Sequence, residues 1–274
     1  MRIDSHQHFW QLQRGDYGWL DESLGVLYRD YQPTELAEHL AAGSISKSIV
    51  VQAAATVEES KYLLALAEEF DFIAGVVGWI DMDGDNALPQ LAGLAAHDKL
   101  LGIRPMIQDI ADPEWMLQPA LDPIFRQLIG RQLCFDALVK PGQLDNLTVL
   151  MRRYPDLRVV IDHAAKPNIA EGEFEPWAGK MQTIASETQA YCKLSGLLTE
   201  AADGATMSDL QPYMQHLLEC FGAERLMWGS DWPVLNLAAD YAGWLSISEQ
   251  FISALSESDQ QAIMGHTAAQ FYQL

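Results

Sequence analysis

The chain has 274 residues, 49% of them apolar, which exceeds a minimal domain and approaches the roughly 250 residues of a closed (β/α)8 barrel. Acidic side chains number 38 against 17 basic ones, and the resulting net charge of −21 repels phosphate backbones and anionic lipids, which argues against nucleic acid or a membrane as partner. The three cysteines, Cys134, Cys192 and Cys220, are too few and too scattered for a disulfide framework; with no signal-peptide core and no run of about 18 apolar residues, a soluble cytoplasmic protein is expected.

Short β-rich runs alternate with longer amphipathic ones along the chain. Arg2 to His8 is the first strand-like run, followed by a helical pattern over Pro33 to Ala42. Ile45 to Gln52 then precedes a helix over Val57 to Phe70, and Phe72 to Ile80 precedes one over Ala87 to Ala96. The next pairs are Leu100 to Ile107 with Leu121 to Arg131, Gln132 to Val139 with Leu144 to Tyr154, and Arg158 to His163 with Trp177 to Glu187. Ala190 to Ser195 with Asp209 to Phe221, then Arg225 to Gly229, complete eight strands, and the tail from Asp240 to Leu274 supplies a final helix and short extra ones. Strands and helices alternating at this spacing predict βαβ units. No linker or repeat interrupts them, so residues 1–274 are expected to form one α/β domain, a single (β/α)8 TIM barrel with short extra C-terminal helices. An open doubly wound sheet would lead from its first strand into a glycine-rich phosphate turn. This one leads into His6, His8 and Trp10.

In a closed parallel barrel the active site lies at the carboxyl ends of the strands. Side chains alternate along a strand, so His6 and His8 point to one face. Asp231 ends the eighth run, which a closed barrel sets beside the first. Two imidazoles and a carboxylate suit one divalent ion, zinc foremost, with a position open for water; the blander alternative is a polar strand start. His163 ends the sixth run, where alternation places Val159, Ile161 and His163 on one face and Asp162 on the other. Alone, His163 would be a satisfied core histidine and Asp231 a turn former ahead of Trp232-Pro233. Together with His6 and His8 they form a catalytic set.

Arg104 lies in the fourth run, Lys193 and Ser195 in the seventh, and Lys166 just before a proline. Arg104 and Lys166 are candidates to bind substrate hydroxyls or a carboxylate, although Arg104 could instead pair with a buried acid. Trp10, Trp79 and Trp232, with Trp19, are placed to line the barrel mouth and stack on a substrate, against the commoner role of large aromatics in packing. His39, His97, His216 and His266 fall in helical patterns and are read as structural.

The stretches Asp4-Ser-His-Gln-His-Phe-Trp10, Val51-Gln-Ala-Ala54, Asp162-His-Ala-Ala-Lys-Pro167, Lys193-Leu-Ser-Gly196 and Gly229-Ser-Asp-Trp-Pro233 are spread over nearly the whole chain. In them the sequence resembles the sugar-lactonase branch of the amidohydrolase superfamily. The resemblance implies a (β/α)8 barrel with His6, His8, His163 and Asp231 as catalytic core. It also implies a small-molecule substrate, an aldonolactone of the L-fucono or L-rhamnono type. Binuclear members of the superfamily add a carboxylated lysine or glutamate on the fourth strand and a histidine on the fifth. Here the fourth carries Arg104 and the fifth has no histidine, which argues against two metals. One ion held by His6, His8 and Asp231 and metal-free hydrolysis both stay open. So do a metal-dependent decarboxylase of the same superfamily and a noncatalytic sugar-binding barrel.

Overall fold

The protein's structure, a computed structural model, describes residues 1–274. Eight parallel strands follow one another around a sheet in chain order: β1 (Ile3–Gln7), β2 (Lys47–Val51), β3 (Ile73–Gly78), β4 (Leu100–Ile103), β5 (Cys134–Ala137), β6 (Val159–Ile161), β7 (Tyr191–Leu194) and β8 (Leu226–Trp228). Sequential parallel neighbours joined through helices define a (β/α)8 barrel, as the alternating pattern predicts. The outer helices are α1 (Pro33–Ala42), α2 (Val57–Glu69), α3 (Ala87–Leu94), α4 (Asp122–Gly130), α5 (Leu144–Arg153), α6 (Trp177–Glu187), α7 (Met207–Phe221) and α8 (Tyr241–Ile252). The short α9 (Glu257–Gln261) and α10 (Thr267–Tyr272) follow. No helix is long and apolar enough to cross a membrane.

Local chemistry explains the element boundaries. The Thr56 hydroxyl accepts the Glu59 N–H at 3.1 Å and starts α2, while Pro33 occupies the first turn of α1, where a missing N–H costs nothing. Thr206 and Asp209 form a reciprocal cap on α7. The fourth strand is shorter than its apolar run, because Pro105 cannot donate to a ladder and the chain turns away after Arg104.

Alternation divides the buried side chains. Outward residues such as Val50, Val76, Phe135 and Ile161 pack against the helices. Inward ones, Ile3, Ile49, Val51, Val77, Cys134, Val160 and Met227, fill the amino-terminal half of the barrel. Phe271 and Tyr272 of α10 close that half from below as a floor. The carboxyl half is instead filled by buried polar groups. Phe271→Ala should leave a cavity beneath the barrel and cost about 3–5 kcal/mol, read as a lower denaturation midpoint with unchanged slope.

Candidate active site

The barrel closes just beyond the ends of β8 and β1. The Asp231 N–H donates to the His6 carbonyl and the His8 N–H to the Trp232 carbonyl, each at 2.8 Å. Behind this seam the buried Asp4 carboxylate accepts from Ser230 N–H at 2.9 Å, His6 N–H at 3.2 Å and the Tyr241 hydroxyl at 2.9 Å. Burial pushes Asp4 up to about 6 against the pull of those donors. Ile3 and His6 both reach the barrel interior although an odd number of residues apart, and a register shift between Asp4 and Gln7 makes that geometry available.

The seam brings together the residues expected to converge. His6 Nε2 lies 3.2 Å from His8 Nε2. Asp231 Oδ1 is 3.3 Å from His8 Nε2 and 3.8 Å from both His6 Nε2 and His163 Nε2. The His8 Nδ1 faces the Val51 carbonyl at 2.7 Å and, since a carbonyl can only accept, carries a proton; the ring is thereby held with Nε2 turned into the site. The compact metal-type cluster is His6, His163 and Asp231, with ligand atoms within 4.8 Å of one another. His8 is a fourth donor beside it. Nitrogen and oxygen ligands of a tetrahedral zinc ion stand about 3.4 Å apart, so this donor set fits one divalent ion with small closing movements.

His163 reaches the site by breaking the alternation expected of its strand. Strand β6 stops at Ile161, and His163, Ala164, Ala165 and Lys166 all take left-handed backbone angles, with φ of 51°, 52°, 58° and 53°. Asp162 therefore faces the interior with Val160, and His163 swings over the same opening instead of pointing to the opposite face. The His163 Nδ1 meets Ser195 Oγ at 2.9 Å. Gly196, at φ +67°, lets the ring lie against the backbone: a Cβ there would sit 2.6 Å from Nδ1.

Beneath the histidines is a buried charge cluster that sequence reasoning only partly found. Arg104 stands 3.3 Å from Asp162 Oδ2 and 3.4 Å from His6 Nε2, and donates a second hydrogen bond to the Gln52 carbonyl. Lys193 Nζ contacts Asp136 Oδ2 at 2.6 Å, Asp162 Oδ1 at 3.0 Å and His6 Nδ1 at 3.1 Å. Gln52, Asp162 and Lys193 stand in stretches that carry the resemblance but have no role assigned from the sequence, and Asp136 stands in none. Their signal was available: charged residues within apolar strand runs need buried partners.

A cavity of about 270 Å³ opens above, lined by His8, Arg104, His163, Lys166 and Asp231 together with Trp19, Met106, Leu138 and Val234 among others. Trp10 and Trp232, expected at the mouth, are buried behind it. Trp10 packs edge-on to Tyr31 at 5.3 Å with its indole N–H donated to the Arg29 carbonyl, and Trp232 sits edge-on to Tyr31 at 5.1 Å. Trp79, half-buried just past β3, is not among the lining residues. The long segment between β1 and α1 is responsible: it folds over the barrel, absorbs Trp10 and presents Trp19, 38% exposed, in its place.

Burial and charge set the protonation states. Burial would raise Asp231, but His163, His8 and His6 outweigh it and hold the carboxyl well below its ordinary range. Burial lowers His6 well below its ordinary value, and pushes His163 down to about 4 against the pull of Asp231. Burial likewise opposes ionisation of Asp162, yet Lys193, His6 and Arg104 keep it well below the usual carboxylate range. At neutral pH the site thus holds an ionised Asp231 beside the neutral imidazoles of His6 and His163.

A buried carboxylate beside imidazoles at the carboxyl end of a parallel barrel, with a cavity above, has the make-up of an enzyme active site. Residues 3–274 match the family described as Amidohydrolase, and the chain belongs to that family. It is 43% identical over 277 residues to an L-fucono-1,5-lactonase of Burkholderia ambifaria, covering 100% of this chain and 96% of that protein. It is 39% identical over 292 residues to an L-fucono-1,5-lactonase of Burkholderia multivorans, with the same coverage. A crystal structure of an amidohydrolase from Burkholderia multivorans with bound zinc has a TM-score of 0.92 at 38% identity, covering 100% of this chain and 99% of that one.

Two outcomes test this geometry. Gly196→Ala should push the His163 ring aside, leaving a folded protein with activity reduced about a hundredfold, because a displacement near 1 Å in a catalytic group costs that much. In protein dialysed against chelator, the lowered His163 sets the sign of a pH effect. Its ordinary value is 6.5 and its folded value about 4, so between these the unfolded chain binds a proton that the folded one refuses. Its contribution to stability is whole above 6.5 and is lost as the pH falls toward 4. His163→Gln should flatten that loss in denaturation curves taken across the window.

Proposed function

We propose that this chain hydrolyses a sugar lactone, an aldonolactone of the L-fucono or L-rhamnono type, with residues 1–274 acting as one catalytic domain. The observation that carries the reading is Asp231, held ionised by three imidazoles at the base of a cavity whose two lining cations already have carboxylate partners. Arg104 is paired with Asp162, and Lys166 Nζ is 2.8 Å from Glu200 Oε1. A neutral substrate fits such a cavity better than a carboxylate-bearing one. Trp19, Met106, Leu138 and Val234 give it an apolar side for the carbon face of a sugar ring, while Lys166 and Arg104 keep donor capacity for hydroxyls. The lactonase relatives support the substrate class.

Asp231 accepts the proton of a water whose oxygen attacks the lactone carbonyl carbon. Charge builds on the carbonyl oxygen, where the ring nitrogens of His6, His8 and His163 surround it. The ring carbon–oxygen bond then breaks, and the proton on Asp231 passes to the departing alkoxide, leaving an open-chain hydroxy acid. A divalent ion, if bound, would be held by His6, His163 and Asp231 with His8, and would supply polarisation of the carbonyl; zinc is the ion the donor set favours.

A panel of aldonolactones assayed by acid release, before and after chelation and with metal content measured, tests the reading. Ring opening of at least one aldonolactone is the expected result. Release of carbon dioxide from aromatic acids instead would indicate a metal-dependent decarboxylase, and tight sugar binding without turnover a noncatalytic barrel. Asp231→Asn should lower kcat by roughly a hundred- to ten-thousandfold with the fold intact. A variant retaining more than about a tenth of parental activity would remove Asp231 from the role of base.

A further inference from the structure

The last helix, α10, does more than close the barrel floor. The Tyr272 hydroxyl donates to Asp136 Oδ2 at 2.8 Å, deep inside the barrel, where the tyrosine is 3% exposed. That same oxygen holds Lys193 Nζ at 2.6 Å, and Lys193 meets His6 Nδ1 at 3.1 Å. An ammonium has only hydrogens to offer, so Nδ1 of His6 must accept. A neutral imidazole that accepts at one nitrogen carries its proton on the other.

The other contacts of His6 leave that state in place. Asp162 Oδ1 lies farther from Nδ1, at 3.4 Å, and is itself held by Lys193 at 3.0 Å. On the other side of the ring, Nε2 faces His8 Nε2 at 3.2 Å and Asp231 Oδ1 at 3.8 Å, so its proton is turned into the site. Arg104 Nη1, 3.4 Å from this nitrogen, is left to Asp162.

We propose that Tyr272 is a positioning residue which, through Asp136 and Lys193, fixes His6 in the orientation and tautomer that aims an Nε2 proton at the substrate carbonyl oxygen. This rests on the hydrolytic reading for its catalytic consequence but not for the tautomer itself. In the ion-free protein the Nε2 proton is the group that meets the developing oxyanion. An ion taken up at His6 has to displace that proton, as ligand deprotonation generally accompanies metal binding. The floor of the barrel and its mouth, joined by no covalent path shorter than most of the chain, are thereby coupled through three side chains.

The test begins with the parent protein, uniformly labelled with 15N histidine, freed of metal and compared with His6→Asn to assign the His6 signals among the 7 histidines. The expected spectrum shows His6 protonated at Nε2 with Nδ1 unprotonated; a proton on Nδ1 overturns the proposal whatever the substrate proves to be. Tyr272→Phe keeps the ring that plugs the floor and removes only the hydroxyl. It should broaden or split the His6 signals and lower kcat about tenfold, with KM within about twofold, as loss of a residue behind an active-site histidine commonly does. In the His6→Asn background the same change should add no further loss, since both act through one group. A merely structural role for Tyr272 would lower the melting temperature, leave the tautomer and kcat unchanged, and so overturn the proposal. Should no lactone be turned over, the proposed reaction fails while the tautomer measurement still decides this point.

Discussion

The seam between the last strand and the first is the constraint on which the site depends. Asp231 and His8 donate the two main-chain hydrogen bonds that fasten it, and the same residues carry the carboxylate and one of the imidazoles. Their side chains meet because their backbones are joined. Some 223 residues separate them along the chain, so the meeting exists only when all eight strands have taken their places. Asp4 secures the outer side of the joint by accepting from both strand ends and from Tyr241 of α8. Barrel closure and site assembly are accordingly one event.

That closure would be of little use without the charges beneath it. Moving an ion into a barrel interior costs several kcal/mol even after relaxation, and the cost is recovered only by close, well-directed partners. Lys193 and Arg104 are matched there by Asp136 and Asp162, so the cations and carboxylates under His6 balance. Asp231 stands apart from this balance. No lysine or arginine pairs with it; its neighbours are the three imidazoles of His6, His8 and His163. A carboxylate without a permanent cation is what the proposed role of Asp231 as base calls for.

The strand count, the chain-order topology and the short helices of the tail were legible in the sequence because hydrophobic periodicity is a local property. The convergence of His6 and His8 was legible for the same reason, and the approach of Asp231 followed from closure. Side-chain partners across the barrel were not. Nothing local ties Lys193 to Asp136, or Tyr272 to either, since each pair is chosen by strand stagger. The tryptophans show the reverse error: a position near a strand end suggested the mouth for Trp10 and Trp232, but the segment between β1 and α1 is long enough to fold back and bury them. Trp19, the more remote in sequence from a strand end, reaches the cavity instead.

The turn after β6 is where local preference and the needs of the site part company. Left-handed backbone costs roughly 1–2 kcal/mol for each residue bearing a Cβ, and four in succession occur there. The surroundings hold it: Trp177 donates its indole N–H to the Ala164 carbonyl at 2.7 Å, Ser195 meets the His163 ring, and Glu200 anchors Lys166. A regular strand would have sent Asp162 and His163 to opposite faces, giving either the partner for Arg104 and Lys193 or the imidazole over Asp231. Reversing the backbone hand at His163 delivers both from consecutive positions and carries Lys166 to the cavity wall. Strain retained against local preference, in a buried turn held by three side chains, is what a site assembled from adjacent residues requires.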